Sequence, residues 1–273
     1  LARDLESLTG QRVPVLAPRS YIFHNAATVS RQWEHRRLAL MRAMAAGEVP
    51  LLVAAVEGLL QRTLPPEELD RAWAELRTGG SYDLNQLAET LTAAGYSRCD
   101  QVEGVGQFAL RGGILDVYSP GMEQPVRAEF FGDELDAMGL FDPATQRRTE
   151  NVERAVLLPA AEALPHLAPG GTAGLAARLE KLAAGAEKAG RHELAQTLRQ
   201  DREALEQGRS FPATDRYLAL IYPQLATAAD YLPPDACVLF SESSRVGERA
   251  KTYQWQLEED AKSLMERGEL DGS

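Results

Sequence analysis

The sequence predicts a chain of the α/β class, with an inserted small α+β antiparallel-sheet domain and a helical hairpin region. Three observations predict it. Near the amino terminus, two apolar runs flank a helical repeat in strand–helix–strand order, which is typical of a parallel sheet. Between residues 107 and 141, apolar residues alternate with a period of two. Beyond residue 171, leucine and alanine recur at helical spacing.

The first predicted domain covers residues 1–77. Its predicted elements are a helix at 1–8, a strand at 13–16, a helix from Ser30, a strand at 49–56 and a helix at 66–77. The helix from Ser30 carries apolar side chains every three or four residues, beginning with Trp33. Residues 49–56 are solidly apolar, which indicates a strand buried on both faces.

Two further domains follow, at residues 78–163 and 164–273. In the second we expect a helix at 84–95 and antiparallel strands within 107–118 and 126–141, separated by glycine-containing turns. In the third we expect a linker at 159–171, a helix hairpin at 175–205, a short strand at 237–240 and a long helix at 244–267. The chain lacks an initial Met and ends abruptly, which suggests a fragment of a longer protein.

Composition limits the function classes. Hydrophobic residues make up 44% and charged residues 25% of the chain, which are globular values. The formal net charge of −11 argues against a broad electrostatic hold on nucleic acid or on an anionic membrane. Cys99 and Cys237 belong to no metal-binding cluster, and we expect two buried free thiols in a reducing cytosol. No apolar run approaches the roughly 20 residues of a membrane span.

Motifs for catalysis are missing from the sequence. There is no G-x-x-x-x-G-K-[ST] string to hold phosphates and no G-x-S-x-G nucleophile turn. Gly104-Val105-Gly106 is best interpreted as a turn at the end of a strand. Asp116 could bind Mg²⁺ only beside such a phosphate loop, and we expect it in mid-strand. The histidines lack metal-ligand spacing, and His35 and His192 are expected to be solvated. We therefore assign no catalytic residue, cofactor or metal.

One strand stands out by its alternation. In residues 126–131, Val126, Ala128 and Phe130 share one face, and Arg127, Glu129 and Phe131 share the other. The second face is polar except for the ring of Phe131. An exposed aromatic beside an arginine is the composition of a protein-docking hot spot, although a single Phe can also pack under a loop.

A longer string carries a family resemblance. Residues 111–121 (RGGILDVYSPG), 125–136 (PVRAEFFGDELD) and 156–160 (VLLPA) resemble domain 2 of the UvrB-like module, which occurs in UvrB and in the transcription-repair coupling factor family, Mfd. Flanking regions resemble it more loosely in the same order. The helix with Trp33 in place of a DNA-gripping hairpin, and the ending at residues 157–162, favour the coupling factor.

The resemblance implies a fold and a function. It implies an incomplete P-loop-type parallel α/β domain without a functional P-loop, and a domain 2 that recruits UvrA through Arg111, Arg127 and Phe131. The full-length family protein is an ATP-dependent DNA translocase that also contacts RNA polymerase, DNA and its own carboxy-terminal domain. We expect a non-catalytic, cytoplasmic, monomeric module that links stalled RNA polymerase to nucleotide excision repair. The alternatives are a UvrB-type ATP-dependent damaged-DNA-binding protein and a nucleic-acid-binding module.

Overall fold

The computed structural model describes residues 1–18, 31–209, 214–224 and 226–267. Its helices are α1 (Ala2–Thr9), α2 (Gln32–Ala45), α3 (Val56–Leu60), α4 (Pro66–Ala72), α5 (Leu84–Ala93), α6 (Gly171–Lys188), α7 (His192–Glu206), α8 (Leu218–Ile221) and α9 (Ser243–Glu266). Its strands are β1 (Val15–Leu16), β2 (Val53–Ala54), β3 (Arg62–Thr63), β4 (Ala74–Arg77), β5 (Ser97–Arg98), β6 (Gln107–Arg111), β7 (Ile114–Tyr118), β8 (Val126–Phe131), β9 (Glu134–Phe141), β10 (Arg148–Asn151), β11 (Arg154–Leu157) and β12 (Ala226–Thr227). This mixed content agrees with the predicted α/β class.

Contacts divide the described residues into two compact units. The first consists of the described parts of Leu1–Ile22, Leu51–Arg62 and Pro165–Ser273, and the second of those of Phe23–Pro50 and Thr63–Leu164. This division follows contacts between residues and does not test the predicted domains. The boundaries at residues 77 and 163 therefore stay a prediction. Within the described ranges, no helix is both long and apolar enough to cross a membrane.

The first unit contains the predicted parallel pair and the helix hairpin. β1 and β2 pair in parallel, with Val15 opposite Val53, which confirms the strand order. α6 and α7 form the predicted hairpin, closed at Gly190 with φ 75°. The predicted long helix is confirmed as α9, which is fixed to α3 by an ion pair between Arg249 and Glu57.

Three further predictions are wrong. The strand at 49–56 shrinks to β2, whose residues are half-buried, because the chain turns at Val56 into α3 and presents Glu57 to α9. No strand forms at residues 237–240, where none of the described strands pairs with this apolar run. Cys237 in that run is exposed and Cys99 is half-buried, so the two thiols are free but not both buried.

The second unit is built on a six-stranded sheet with the order β10-β9-β8-β7-β6-β5. Strands β6 to β9 are antiparallel in sequence order, as predicted. The sheet also contains β10, antiparallel to β9, and β5, parallel to β6, which were not predicted. Asp83 caps the amino terminus of α5, and its carboxylate accepts hydrogen bonds from the N–H groups of Asn85 and Gln86. Its Leu87 and Leu91 pack into the same core cluster as Phe108 and Leu115.

The predicted helix at 66–77 is only half right. α4 ends at Ala72, and β4 follows, pairing antiparallel with β11 in the register Ala74 to Leu157 and Arg77 to Arg154. Leu76 is fully buried in the core cluster by this pairing. A partner some 80 residues away therefore overrides the helix propensity of the segment.

The helix α2 carries a histidine that the sequence placed in solvent. His35 is buried, and its Nε2 lies 3.1 Å from the carbonyl oxygen of Ala160. Burial lowers its pKa to about 4. The prediction that residues 159–171 form a linker is wrong for its first half, because the buried carboxylate of Glu162 pairs with the buried Arg37 of α2. The predicted helix start at Ser30 lies outside the described residues.

Candidate docking surface

The two faces of β8 follow the predicted alternation. Val126 and Ala128 are buried in the core, and Phe130 packs edge-on against the Tyr82 ring at 6.2 Å between centroids. The opposite face carries Arg127, Glu129 and Phe131. Phe131 is 85% exposed, so it does not pack under a loop. The strand therefore presents a large apolar ring to solvent on its polar face.

Two hairpin turns bring the predicted site residues to one end of the sheet. Gly112 and Gly113 connect β6 to β7, and Arg111 and Ile114 face each other across that turn. Gly132 and Asp133 connect β8 to β9, beside Phe131. Because the strands alternate in direction, the two turns lie at the same end of the sheet.

The close approach of the two hairpins depends on a glycine. The N–H of Phe130 donates a 2.7 Å hydrogen bond to the carbonyl oxygen of Gly113. A Cβ at Gly113 would lie 2.7 Å from the carbonyl oxygen of Phe130, which is too close for any side chain without a backbone shift. The turn containing Gly112 and Gly113 therefore sits directly against β8.

Asp116 forms ion pairs with Arg111 and Arg127, the two arginines predicted for the site. It lies opposite Arg127 in the register of β7 and β8, and its side chain is 1% exposed. Arg127 donates to its carboxylate from Nε at 2.7 Å and from Nη2 at 2.8 Å, which makes a bidentate ion pair. The Nη2 of Arg111 lies 3.5 Å from the same carboxylate. The side chain of Arg111 is 58% exposed, so most of it remains available to a partner.

Further contacts fix the guanidinium of Arg127. It lies over the Phe141 ring, 4.6 Å from its centroid. Its Nη1 and Nη2 also donate to the backbone and side-chain oxygens of Gln146, at 3.4 and 3.2 Å. The hydrogen bond to Asp116 raises the pKa of Arg127, so it stays cationic. Only 21% of the Arg127 side chain is exposed. Its guanidinium N–H groups already donate to partners within the protein.

Sequence reasoning missed three members of this surface. Asp116 was weighed only as a magnesium ligand, although its mid-strand position is confirmed. The sequence feature that could have identified it is an acidic residue on the β7 face that lies beside Arg127 of the neighbouring strand. Gln146 has a backbone φ of 61°, which no pattern indicated. Ile114 is 40% exposed on the same face as Arg111, and the alternation of β7 could have identified it.

The surface offers ion pairing and apolar contact. The sequence offers histidine, cysteine and serine as nucleophiles or bases, but the hydrogen bonds between Asp116, Arg127 and Gln146 involve none of them. Over the described residues, no group of three or more His, Cys, Asp or Glu side chains could hold a metal ion. The groups that the surface presents are an exposed aromatic ring and a partly free arginine.

Comparisons with known proteins place this surface in a family context. Residues 74–162 match the family model described as UvrB interaction domain. The transcription-repair-coupling factor of Bacillus subtilis is 32% identical over 275 residues, which cover 98% of this chain and 23% of that protein. That of Staphylococcus haemolyticus is 30% identical over 254 residues, covering 89% and 21%. That of Myxococcus xanthus is 34% identical over 176 residues, covering 60% and 14%.

Two facts follow from the comparisons. The resemblance stated from the sequence is confirmed, both for the UvrB-like region and for the similarity of nearly the whole chain to these factors. The chain spans less than a quarter of the length of each of these relatives. The matched region contains the whole six-stranded sheet, and with it Arg111, Asp116, Arg127 and Phe131.

Proposed function

We propose that this chain, a member of the transcription-repair coupling factor family with a UvrB interaction domain at residues 74–162, recruits the excision-repair protein UvrA through Arg111, Arg127 and Phe131. The observation that carries the proposal is the 85% exposure of Phe131 on a face where two arginines converge on Asp116. Exposed aromatic and arginine side chains dominate the binding energy of protein interfaces.

The three residues have different physical roles in the proposal. Phe131 gives up its exposure to water in an apolar pocket of the partner, which is the main favourable term. Arg111 pairs with a partner carboxylate through N–H groups that its long contact to Asp116 leaves in solvent. Arg127 keeps Asp116 in place and so fixes where Arg111 lies.

The wider role of the chain belongs to the same proposal. In the parent protein, this module would link RNA polymerase stalled on DNA to nucleotide excision repair, while other regions supply translocation. The module itself would supply no catalytic step, since its sequence contains no phosphate-binding string. The parallel pairing of β1 with β2 supports an incomplete P-loop-type α/β domain.

Binding to UvrA by isothermal titration calorimetry tests the site. Phe131→Ala should weaken binding by about 2 kcal/mol or more, roughly thirtyfold in Kd, and Arg111→Ala should weaken it as well. Arg127→Ala is a poorer variant, because it would leave the buried Asp116 without its main partner.

The matched control is Leu239→Ala, which removes another exposed apolar side chain, in the first unit. It should leave the affinity unchanged. Equal effects of Leu239→Ala and Phe131→Ala, or unchanged binding in both Phe131→Ala and Arg111→Ala with the fold intact, would refute the site. Micromolar binding of ATP in the same calorimeter would instead favour the UvrB-type enzyme.

A further inference from the structure

Two large apolar side chains are exposed among the described residues of the second unit, Ile114 at 40% and Phe131 at 85%. A single exposed apolar residue is common on protein surfaces and needs no explanation. Here both belong to the sheet of the UvrB interaction domain and lie at the end that carries its two short hairpin turns.

Strand register places these two side chains beside each other. Ile114 lies opposite Glu129 in the pairing of β7 with β8. Phe131 is two residues beyond Glu129 on the same face of β8, where diagonal neighbours are about 7–8 Å apart between Cα atoms and within reach of aromatic side chains. The hydrogen bond from Phe130 to Gly113 holds the β6–β7 turn against this point.

The neighbours of Ile114 on its own face are charged. Arg111 lies opposite it on β6, and Glu129 lies opposite it on β8. Glu129 is paired with Arg148 at 2.9 Å, and Arg111 extends into solvent. Ile114 therefore faces a charged residue directly opposite it on each flanking strand, and Phe131 is its diagonal apolar neighbour.

We infer that Ile114 is a second apolar anchor of the docking surface, paired with Phe131, and that the partner offers one apolar pocket for both side chains with a carboxylate at its rim facing Arg111. The inference rests on the proposed function and adds a contact residue and the chemistry of the partner site. Arg127 acts in it as a positioning residue, since Asp116 and Gln146 already occupy its donors.

The test is the affinity of the whole chain for UvrA in Ile114→Thr. This change keeps β-branching and strand propensity but replaces a methylene-bearing apolar branch with a hydroxyl. Affinity should fall about tenfold, the effect of an interface residue of intermediate importance. Ile114→Val should retain most of the affinity, because it remains apolar.

Val238→Thr is the matched control, since Val238 is also β-branched and exposed but lies in the first unit. It should leave the affinity unchanged, and the urea midpoint of Ile114→Thr should match that of the wild type. If Phe131→Ala weakens binding and Ile114→Thr does not, the second anchor is wrong and the proposed function stands. If the wild-type chain does not bind UvrA, both are overturned.

Discussion

Breaking the ion pair between Asp116 and Arg127 should cost far more than breaking a half-exposed pair on the same face of the sheet. Asp116→Asn keeps the shape of the side chain, but turns one acceptor into an amide donor that faces the guanidinium of Arg127. The aspartate is almost fully buried and accepts two short hydrogen bonds from Arg127. Water therefore has little access to replace them.

The magnitude follows from this geometry. Hydrogen bonds to charged groups contribute about 1.5–3 kcal/mol each, and the partial exposure of Arg127 reduces the total. We expect a coupling free energy of about 2–3 kcal/mol in a double-mutant cycle of Asp116→Asn and Arg127→Met. The control cycle, Glu129→Gln with Arg148→Met, removes a half-exposed pair on the same face and should give about 0.2–1 kcal/mol.

Urea unfolding measures both cycles. The background should carry Trp255→Phe, because the remaining tryptophans, Trp33 and Trp73, both belong to the second unit and their fluorescence then reports its unfolding alone. A shifted midpoint with an unchanged slope identifies a change in stability. A coupling for Asp116 and Arg127 no larger than that of the control pair would refute the view that this ion pair is a rigid part of the surface.

Three further outcomes are expected. Gly113→Ala should destabilise the second unit by about 1–3 kcal/mol in the same urea assay, because the new Cβ meets the carbonyl oxygen of Phe130. Burial lowers the pKa of His35 from 6.5 to about 4 in the folded protein, so on acidification the unfolded chain is protonated at a higher pH than the folded one. Folding should therefore lose about 2 kcal/mol of stability between pH 7 and pH 5. His35→Gln should remove this loss. UvrA affinity should fall by less than about tenfold from 50 to 200 mM salt, whereas a protein with 6–10 phosphate contacts loses about 10³–10⁵.

The sequence predicted best where the signals are local. Period-two alternation with glycine turns predicted the strands between residues 107 and 141, and helical spacing predicted α6, α7 and α9. It failed where a distant partner decides the structure. β4 exists because β11 pairs with it, and the run at 237–240 remains unpaired by any described strand in spite of its apolar composition.

The same distinction holds within the docking surface. Alternation alone predicted that Phe131 leaves the core, because that depends only on the parity of β8. The role of Asp116 depends on the register of two strands, and that of Gln146 on a left-handed backbone conformation. The contacts of Arg111, Arg127 and Phe131 with UvrA stay a prediction, drawn from the resemblance and supported by their convergence at one end of the sheet.

The arginine charges on this face are largely paired within the protein. Arg127 is neutralised by a buried carboxylate and Arg148 by Glu129, so neither offers an uncompensated charge to a nucleic acid. Arg111 keeps only a long contact to Asp116 and can orient a partner carboxylate. In the proposed function, recognition at this surface would depend on apolar burial of Phe131 in a defined geometry, which favours a protein partner over a polyanion.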